Sequence, residues 1–336
     1  MGCDHPNDHL NLKEQIMGFK VVGAAKNESS GDKPKVNFDD VNKYRVETAG
    51  LQKRETLVGV VAGIIDLGLQ EQPDAEFPFD GTDQDEHDAI EDKPGTYFKD
   101  VYDPVTKKTQ RCKCWKQRPV QAVVLAIDFP DIILDIGKFY GNSNPKPLRM
   151  FTGAQFWNGT KMVVARPTYL KVNKSLGDWS FDPKHLLHKM AVSSKLIEPT
   201  QCFNPVDIDQ LLGKAFQFEA QVYFKESKGK EYYTEYLKFQ GGLGRGQKAP
   251  VLEDEPFSIE FDGDLTPEKM QNLRSHVINT IKQANNYEGS KIQEYLENGS
   301  SSKPAEQSTK KETPAKVSKP SKVVEEDDED GLECPF

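Results

Sequence analysis

Residues 216–239, FQFEAQVYFKESKGKEYYTEYLKF, have the two-residue alternation of a half-buried β-hairpin. The first strand has apolar side chains at every second position: Phe216, Phe218, Ala220, Val222 and Phe224. After a turn at Gly229, the same alternation predicts an inward row of Tyr233, Leu237 and Phe239. It predicts an outward row of Tyr232, Tyr236 and Lys238. One apolar and one polar face indicate an antiparallel sheet that covers a core on one side.

The chain before this hairpin is also rich in strand signals. Leu57–Leu67 is apolar, β-branched and interrupted by glycine, which predicts a buried, bent strand. Val120–Phe129 is continuously apolar up to Pro130 and predicts a central strand. Residues 97–115 predict a hairpin around Asp103-Pro104, and residues 155–166 predict another around Asn158-Gly159.

Helical signals are fewer and come late in the chain, at residues 184–197, 206–213, 266–284 and 290–297. The pattern predicts a β-rich α+β protein, most economically an elaborated five-stranded barrel of the oligonucleotide-binding (OB) kind with insertions. Another β-barrel or a sandwich remains compatible with it. The predicted organisation is a basic, largely flexible N-terminal arm at 1–54, a core at 55–265 with an acidic insert at 71–92, a helical segment at 266–298, and a disordered linker and acidic tail at 299–336.

The net charge of −9 is unevenly distributed. The last fourteen residues hold seven acidic side chains, and residues 71–92 hold ten, with no Lys or Arg in either segment. Without these seventeen, 36 of the 53 acidic residues remain against 44 Lys and Arg. The rest of the chain is therefore net basic, as a phosphate-binding surface requires. The two acidic segments are candidate intramolecular competitors for that surface. For segment 71–92, a solvated loop is an equally good interpretation, and the sequence leaves both open.

The strand at Lys108–Trp115 carries the first candidate nucleic-acid contacts. Alternation places Arg111, Lys113 and Trp115 on one face and two cysteines on the other. Two cations beside an indole suit a phosphate contact next to a base-stacking platform. An edge strand with protective charges and a half-buried Trp explains the pattern equally well.

Further candidates come from the later strands and loops. Tyr232, Tyr236 and Lys238 form a second possible stacking face, although an ordinary sheet rich in β formers has the same look. The segment Gly241–Gly246 lacks the Lys-Ser/Thr ending of a nucleotide P-loop, so it is taken as a flexible loop around one Arg. The remaining candidates are Arg149, Trp157, Lys161, Arg166 and Arg245.

Enzymatic and metal chemistry have little support in the sequence. No Ser or Cys nucleophile lies in a recognisable motif, so we expect no catalysis and no cofactor; a carboxylate-dependent nuclease is a minor alternative. Five irregularly spaced cysteines indicate a reducing cytoplasm, in the host cell if the protein is phage-encoded. No stretch predicts a signal peptide or a membrane span. A zinc site is conceivable but fits no standard spacing, and free thiols are expected instead; its ligands would come from Cys112, Cys114, His185, His188 and Cys202.

The last fourteen residues, VVEEDDEDGLECPF, predict a docking peptide. A terminal Phe ring suits an apolar pocket, its free carboxylate suits an Arg or Lys, and the acidic side chains suit a basic rim. A solvated, disordered acidic tail is the plainer interpretation. The residues assigned to docking are Asp327, Asp328, Glu329, Asp330, Leu332, Pro335 and Phe336.

Residues 299–336 resemble the C-terminal segment of proteins that coat single-stranded DNA in bacteria and phages: a flexible linker, an acidic cluster and a terminal Pro-Phe. The resemblance covers about a tenth of the chain, and Leu332-Glu333-Cys334 before Pro335 departs from the usual ending. The long β-rich body is more similar to the phage-encoded members.

The resemblance implies a non-catalytic, sequence-independent single-stranded DNA-binding protein of replication, recombination and repair. Its tail would recruit partners such as a polymerase, a helicase or primase, or a nuclease. A β-rich adaptor that binds only proteins is the alternative, and RNA remains open as the ligand.

Overall fold

The computed structural model describes residues 36–103, 106–227 and 229–298. Its helices are α1 (Phe38–Ala49), α2 (Asp83–Asp92), α3 (Leu186–Ser193), α4 (Pro267–Met270), α5 (Ser275–Ile281) and α6 (Lys291–Asn298). Short 3-10 helices span Gly137–Tyr140 and Pro205–Leu211. The strands are β1 (Glu55–Gln70), β2 (Ala75–Pro78), β3 (Thr96–Asp103), β4 (Lys108–Trp115), β5 (Val120–Leu134), β6 (Lys146–Phe151), β7 (Gln155–Trp157), β8 (Met162–Val164), β9 (Thr168–Tyr169), β10 (Ala215–Ser227), β11 (Lys230–Gly241) and β12 (Phe257–Ile259).

The main sheet is a nearly closed, barrel-like antiparallel sheet with the strand order β11-β10-β1-β5-β6. Short β12 pairs in parallel with β1, and β9 pairs with β5. Each of the five main strands is antiparallel to its neighbours, so β6 and β11 at the two ends run in the same direction. These two ends approach each other, but no strand pairing joins them among the described residues. The line where they meet is called the seam below.

Strand β1 bends because bulges interrupt its pairing with β5 and because glycines replace side chains at its close approaches. Gly63 lies directly beneath the Phe257 ring, where any Cβ would overlap the ring. Gly68 has φ +75°, a left-handed conformation that glycine adopts without strain. The bend allows β1 to line the barrel in its first half and to carry an outer layer in its second half.

Two apolar cores lie on opposite sides of this sheet. The inner core fills the barrel and includes Val61, Leu125 and Phe218. The outer core packs α5 and α6 against the other faces of β1 and β5, through Val277 and Ile292. Burial on both faces explains why β1 and β5 are almost continuously apolar, rather than alternating like β10.

Arg274, at the start of α5, bridges the seam. Its guanidinium donates to both carboxylate oxygens of Glu235 on β11, at 2.9 and 3.1 Å, and to the backbone carbonyl of Arg149 on β6. Glu235 also accepts a hydrogen bond of 2.5 Å from the Tyr233 hydroxyl. Its side chain is only 7 % exposed. The segment after the barrel therefore ties the two unpaired strands together.

Most of the predicted strands are confirmed. Residues 55–70 form the bent strand, β5 is central, and hairpins β3-β4, β7-β8 and β10-β11 lie where the sequence predicted them. The inward row of Tyr233, Leu237 and Phe239 packs against the barrel core. Strand β5 does not end at Pro130, however, but continues to Leu134.

Other predictions of local structure were wrong. The predicted flexible arm contains α1, whose Val46 and Ala49 are buried in the barrel core. The acidic insert is not a solvated loop, because it contains β2 and α2. The helix predicted over 266–284 is split into α4 and α5, and the one predicted over 206–213 is a 3-10 helix. Residues 1–35 of the arm and the whole of 299–336 lie outside the described residues.

Candidate nucleic-acid interface

The outer side of the β10-β11 hairpin is an exposed face with aromatic rings and cations in neighbouring rows. Lys225 lies opposite Tyr232, Gln221 opposite Tyr236, and Glu219 opposite Lys238. Residues directly opposite in an antiparallel pair project to the same side. Tyr223 projects to this side as well, since it is two residues from Gln221. We call this surface the tyrosine face; its rings and cations are Tyr223, Lys225, Tyr232, Tyr236 and Lys238, with Arg54 beside them, and it also carries the Glu219 carboxylate.

The residue before strand β1 adds a cation to the tyrosine face. The Arg54 guanidinium lies 4.2 Å from the centre of the Tyr236 ring, a cation–π contact. The Tyr236 hydroxyl donates to Glu219 at 3.0 Å. Partial burial and this hydrogen bond raise the pKa of Tyr236, so its ring stays neutral at physiological pH. Tyr232 is 52 % exposed, and no ring or cation contacts it within the described part of the chain.

A loop brings Arg245 beside the same face. The Gln247 side-chain oxygen accepts a hydrogen bond from the Gly244 amide and another from the side chain of Gln217, both at 2.7 Å. Gln217 is an outward residue of β10, so the loop folds back onto the base of the tyrosine face. The structure thus places Tyr232, Tyr236 and Lys238 on one face, with the loop that contains Arg245 at the Gln217 end of that face.

The predicted residues of β4 lie in a different sheet, and Arg111 and Trp115 are already engaged there. Arg111 forms a two-point ion pair with Glu86 of α2, at 2.7 and 2.9 Å. The Trp115 ring stacks on Phe77 with centroids 5.0 Å apart, and the Lys93 ammonium lies 4.1 Å from its centre. Burial of the alternate side chains confirms that Lys113 shares the face of Arg111 and Trp115.

Strand β4 is also not an edge strand, because β2 and β3 flank it. The interpretation as a protected edge is therefore wrong. Other parts of the same chain occupy the surface that was predicted to stack on bases. The Phe77 ring of the acidic insert stacks on Trp115, and Glu86 of helix α2 in the same insert pairs with Arg111. Hydrogen bonding to Arg111 keeps the pKa of the Glu86 carboxyl below its usual value, so the pair is charged at neutral pH.

Arg149 is held within the outer side of β5 and β6. It donates to both carboxylate oxygens of Asp128, at 2.6 and 2.8 Å, and also to Asn272. The cavity beside it has a volume of about 690 Å³ and also contains the Lys146–Asp254 ion pair, at 2.7 Å. Both cations are neutralised locally, so Arg149 is not an open phosphate site.

Trp157 and Lys161 lie together on the β7-β8 hairpin, and Arg166 follows it. Trp157 is 57 % exposed, and its neighbour Phe156 is 56 % exposed. Neither Lys161 nor Arg166 forms an ion pair within the described residues. This hairpin packs on α5 and forms a second exposed cluster, separate from the tyrosine face.

Sequence reasoning missed several of these features. Tyr223, Lys225 and Arg54 belong to the tyrosine face, and the first two were detectable from the register of the predicted hairpin. A second signal is the absence of Asp and Glu from residues 136–177. This acid-free segment contains seven cations, of which only Lys146 and Arg149 form ion pairs in the described chain.

The residues considered above as zinc ligands do not lie together at one site. His185 and His188 contact the backbone carbonyls of Tyr169 and Gln201, and Cys112 and Cys114 are buried free thiols. Among the described residues, no three His, Cys, Asp or Glu side chains are grouped so as to hold a metal ion.

Within the same part of the chain, no helix combines the length and apolarity that membrane crossing requires. All the residues assigned to docking in the tail lie outside the described residues. Comparison with protein-family models, with curated proteins and with solved structures finds no match.

Proposed function

We propose that the barrel is an elaborated OB barrel. In chain order, its five strands are β1, β5, β6, β10 and β11. The first contacts the second and the fourth, the second contacts the third, and the fourth contacts the fifth. The third and fifth meet at the seam. This arrangement agrees with a partly open, five-stranded Greek-key barrel, with the β2-β4-β3 sheet, the β7-β8 hairpin and the helices as insertions.

We propose that this barrel binds single-stranded DNA without sequence preference. The observation that carries the proposal is the tyrosine face, which places the exposed Tyr232 ring and two half-buried tyrosine rings beside lysines that form no ion pair among the described residues. The distance from Tyr232 to Lys238 along β11 is about 20 Å, at about 3.3 Å per residue. Rings stack on any base, and cations contact any phosphate, so a surface of this composition suits a flexible single strand.

The proposed DNA path differs from the usual one on such barrels. OB barrels commonly bind oligonucleotides on the face of their second and third strands. Here the outer side of β5 is covered by the outer core, and Arg149 on β6 is neutralised by Asp128. The hairpin of the fourth and fifth strands retains an open outer face, on which Lys225 and Lys238 outnumber the single carboxylate of Glu219. The path therefore follows β10 and β11 toward Arg245.

In this proposal the protein coats and protects single-stranded DNA during replication, recombination and repair. The acidic segment 325–336 recruits partner enzymes through its carboxylates and the Phe336 ring. The support for this part is the sequence alone: a Lys/Pro/Ser/Thr-rich linker, an acidic cluster and the aromatic ring of Phe336. Linker and docking peptide together form a tether that captures a partner without obstructing the DNA path.

The test is binding of a fluorescently labelled oligo-dT, measured by anisotropy at several salt concentrations. Tyr232→Ala and Tyr236→Ala should each weaken binding about tenfold, since stacking contributes about 1–3 kcal/mol per base. Lys225→Ala and Lys238→Ala should each reduce the slope of log K against log salt by about 0.7. Tyr102→Ala, an exposed aromatic of β3, is the matched control and should bind like the native protein.

Two results would contradict the proposal in different ways. Absence of oligo-dT binding at low salt would reject DNA as the ligand and leave the protein-binding adaptor. Normal oligo-dT binding by the Tyr232 and Tyr236 variants would leave DNA as the ligand but reject the tyrosine face as its binding site. A parallel titration with oligo-U distinguishes DNA from RNA.

A further inference from the structure

The β7-β8 hairpin exposes an aromatic ring on each of its two sides. Phe156 lies opposite Val163, and Trp157 lies opposite Met162, so the two rings project from opposite faces of the ribbon. Both rings are more than half exposed. Exposed large aromatic side chains in neighbouring positions are typical of binding elements rather than of ordinary surface.

Hydrogen bonds hold this hairpin in a fixed shape. At the tip, the Asn158 side-chain oxygen accepts from the amides of Thr160 and Lys161, at 3.1 and 3.0 Å. At the base, the Thr280 hydroxyl of α5 accepts from the Val164 amide at 2.8 Å. The Asn279 side chain donates to the Met162 carbonyl at 2.9 Å. The two rings are therefore presented on a rigid support, which lowers the entropic cost of binding.

The charge around the hairpin favours a polyanion. It lies in the middle of the acid-free segment 136–177, and Lys161 and Arg166 on or next to it have no ion-pair partner in the described chain. A partner protein with a basic or purely apolar surface would gain nothing from these cations. Bases joined by phosphates match both the rings and the charges.

We propose that the hairpin recognises the junction where a DNA duplex opens into a single strand. One ring stacks on the terminal base pair of the duplex, and the other stacks on the first unpaired base, with Lys161 and Arg166 contacting the phosphates. The end of the hairpin near Trp157 presents one ring on each side, so it can contact two bases that face different directions, whereas the tyrosine face presents its rings on one side only. The inference rests on the proposed function, since the junction includes the same single-stranded ligand.

The test compares two labelled DNAs with the same single-stranded dT segment. One is the segment alone, and the other has the segment attached to a short, closed DNA hairpin that supplies one duplex end. The native protein should bind the junction about tenfold more tightly, as expected for one or two additional stacks. Trp157→Ala and Phe156→Ala should each lower the ratio of the two affinities toward one, whereas Tyr102→Ala should leave it unchanged.

The outcomes separate this inference from the proposed function. Binding of oligo-dT with no preference for the junction, or a preference that both variants retain, would overturn the role of the hairpin and leave the tyrosine face intact. Absence of binding to either DNA would overturn both. Junction binding that depends on Trp157, without binding of oligo-dT, would support the hairpin and reject the tyrosine face. A further outcome is that Trp157→Ala abolishes self-association of the protein and leaves the ratio of the two DNA affinities unchanged. That result would identify the two rings as a contact between copies of the chain and overturn the inference.

Discussion

Replacement of Arg274 by Met should destabilise the barrel more than any exposed substitution. The Glu235 carboxylate would lose both of its hydrogen bonds to the guanidinium and retain only that from Tyr233. Burial opposes ionisation of Glu235, but Arg274 and the Tyr233 hydroxyl outweigh it and keep the pKa below its usual value. Without Arg274, the carboxylate must either remain charged in an apolar site or take up a proton.

The free energy of unfolding of the Arg274→Met variant should be lower by about 3–5 kcal/mol, the range for a buried ion pair that loses one partner. Two hydrogen bonds to a charged group, each contributing about 1.5–3 kcal/mol, give a consistent figure. Arg274→Lys keeps the charge, but it cannot reach Glu235 and the Arg149 carbonyl with the same fork of donors, so we expect a loss of about 1–2 kcal/mol. The double variant Arg274→Met with Glu235→Leu should lose less than the sum of the single changes, because no unpaired charge remains.

Urea denaturation followed by circular dichroism measures these differences. Arg166→Met, which removes an exposed Arg without an ion pair, is the control and should change stability by less than about 0.5 kcal/mol. The difference in unfolding free energy between the native protein and Arg274→Met should become smaller as the pH falls below about 4.3, the ordinary pKa of a Glu side chain. The stability that the depressed pKa of Glu235 contributes is present above that pH and is lost on acidification, whereas a protonated Glu235 needs no cation. An Arg274→Met loss below about 1 kcal/mol, or full additivity in the double variant, would refute this account of the seam.

Three further predictions concern other parts of the fold. Burial lowers the pKa of His276 to about 4, so native stability should fall by up to about 3 kcal/mol between pH 6.5 and pH 4, and His276→Gln should abolish that part of the pH dependence in thermal unfolding. Gly63→Ala should cost about 1–3 kcal/mol in urea denaturation, because its methyl group overlaps the Phe257 ring; an unchanged midpoint would mean that the ring moves freely. Thr82→Ala removes the N-cap of α2 and should increase amide exchange in that helix, at a cost of about 1 kcal/mol, whereas Thr82→Ser should not.

Local periodicity was sufficient to predict much of the sheet. The β10-β11 hairpin and the sides of its residues follow from an alternation that any two neighbouring strands must satisfy. The same alternation placed Tyr232, Tyr236 and Lys238 on one outward-facing side of the hairpin. The same alternation turns Glu235 inward, but the reason that a carboxylate is tolerated there is Arg274, which comes from a different part of the chain. No local pattern contains that information.

Charge was the property that composition predicted least well. Arg111 and Arg149 looked like free cations, yet each has a carboxylate partner that is distant in sequence. The acidic insert looked solvated because it has no apolar periodicity. Its helix instead starts with a capping box between Thr82 and Asp85, a signal that was present in the sequence, and its acids pair with cations of the neighbouring hairpin.

The pairing partners of β1 also determine the order in which the protein can fold. β1 is the first barrel strand to leave the ribosome, but Leu57 pairs with Phe218 and Gly63 pairs with Phe257, both made much later. Contacts of such high sequence separation form slowly, and the apolar strand stays exposed until they form. Because the seam also needs Arg274, the barrel closes only after nearly all of the described chain has been synthesised. Until that point, the exposed apolar strand β1 makes the nascent chain prone to aggregation.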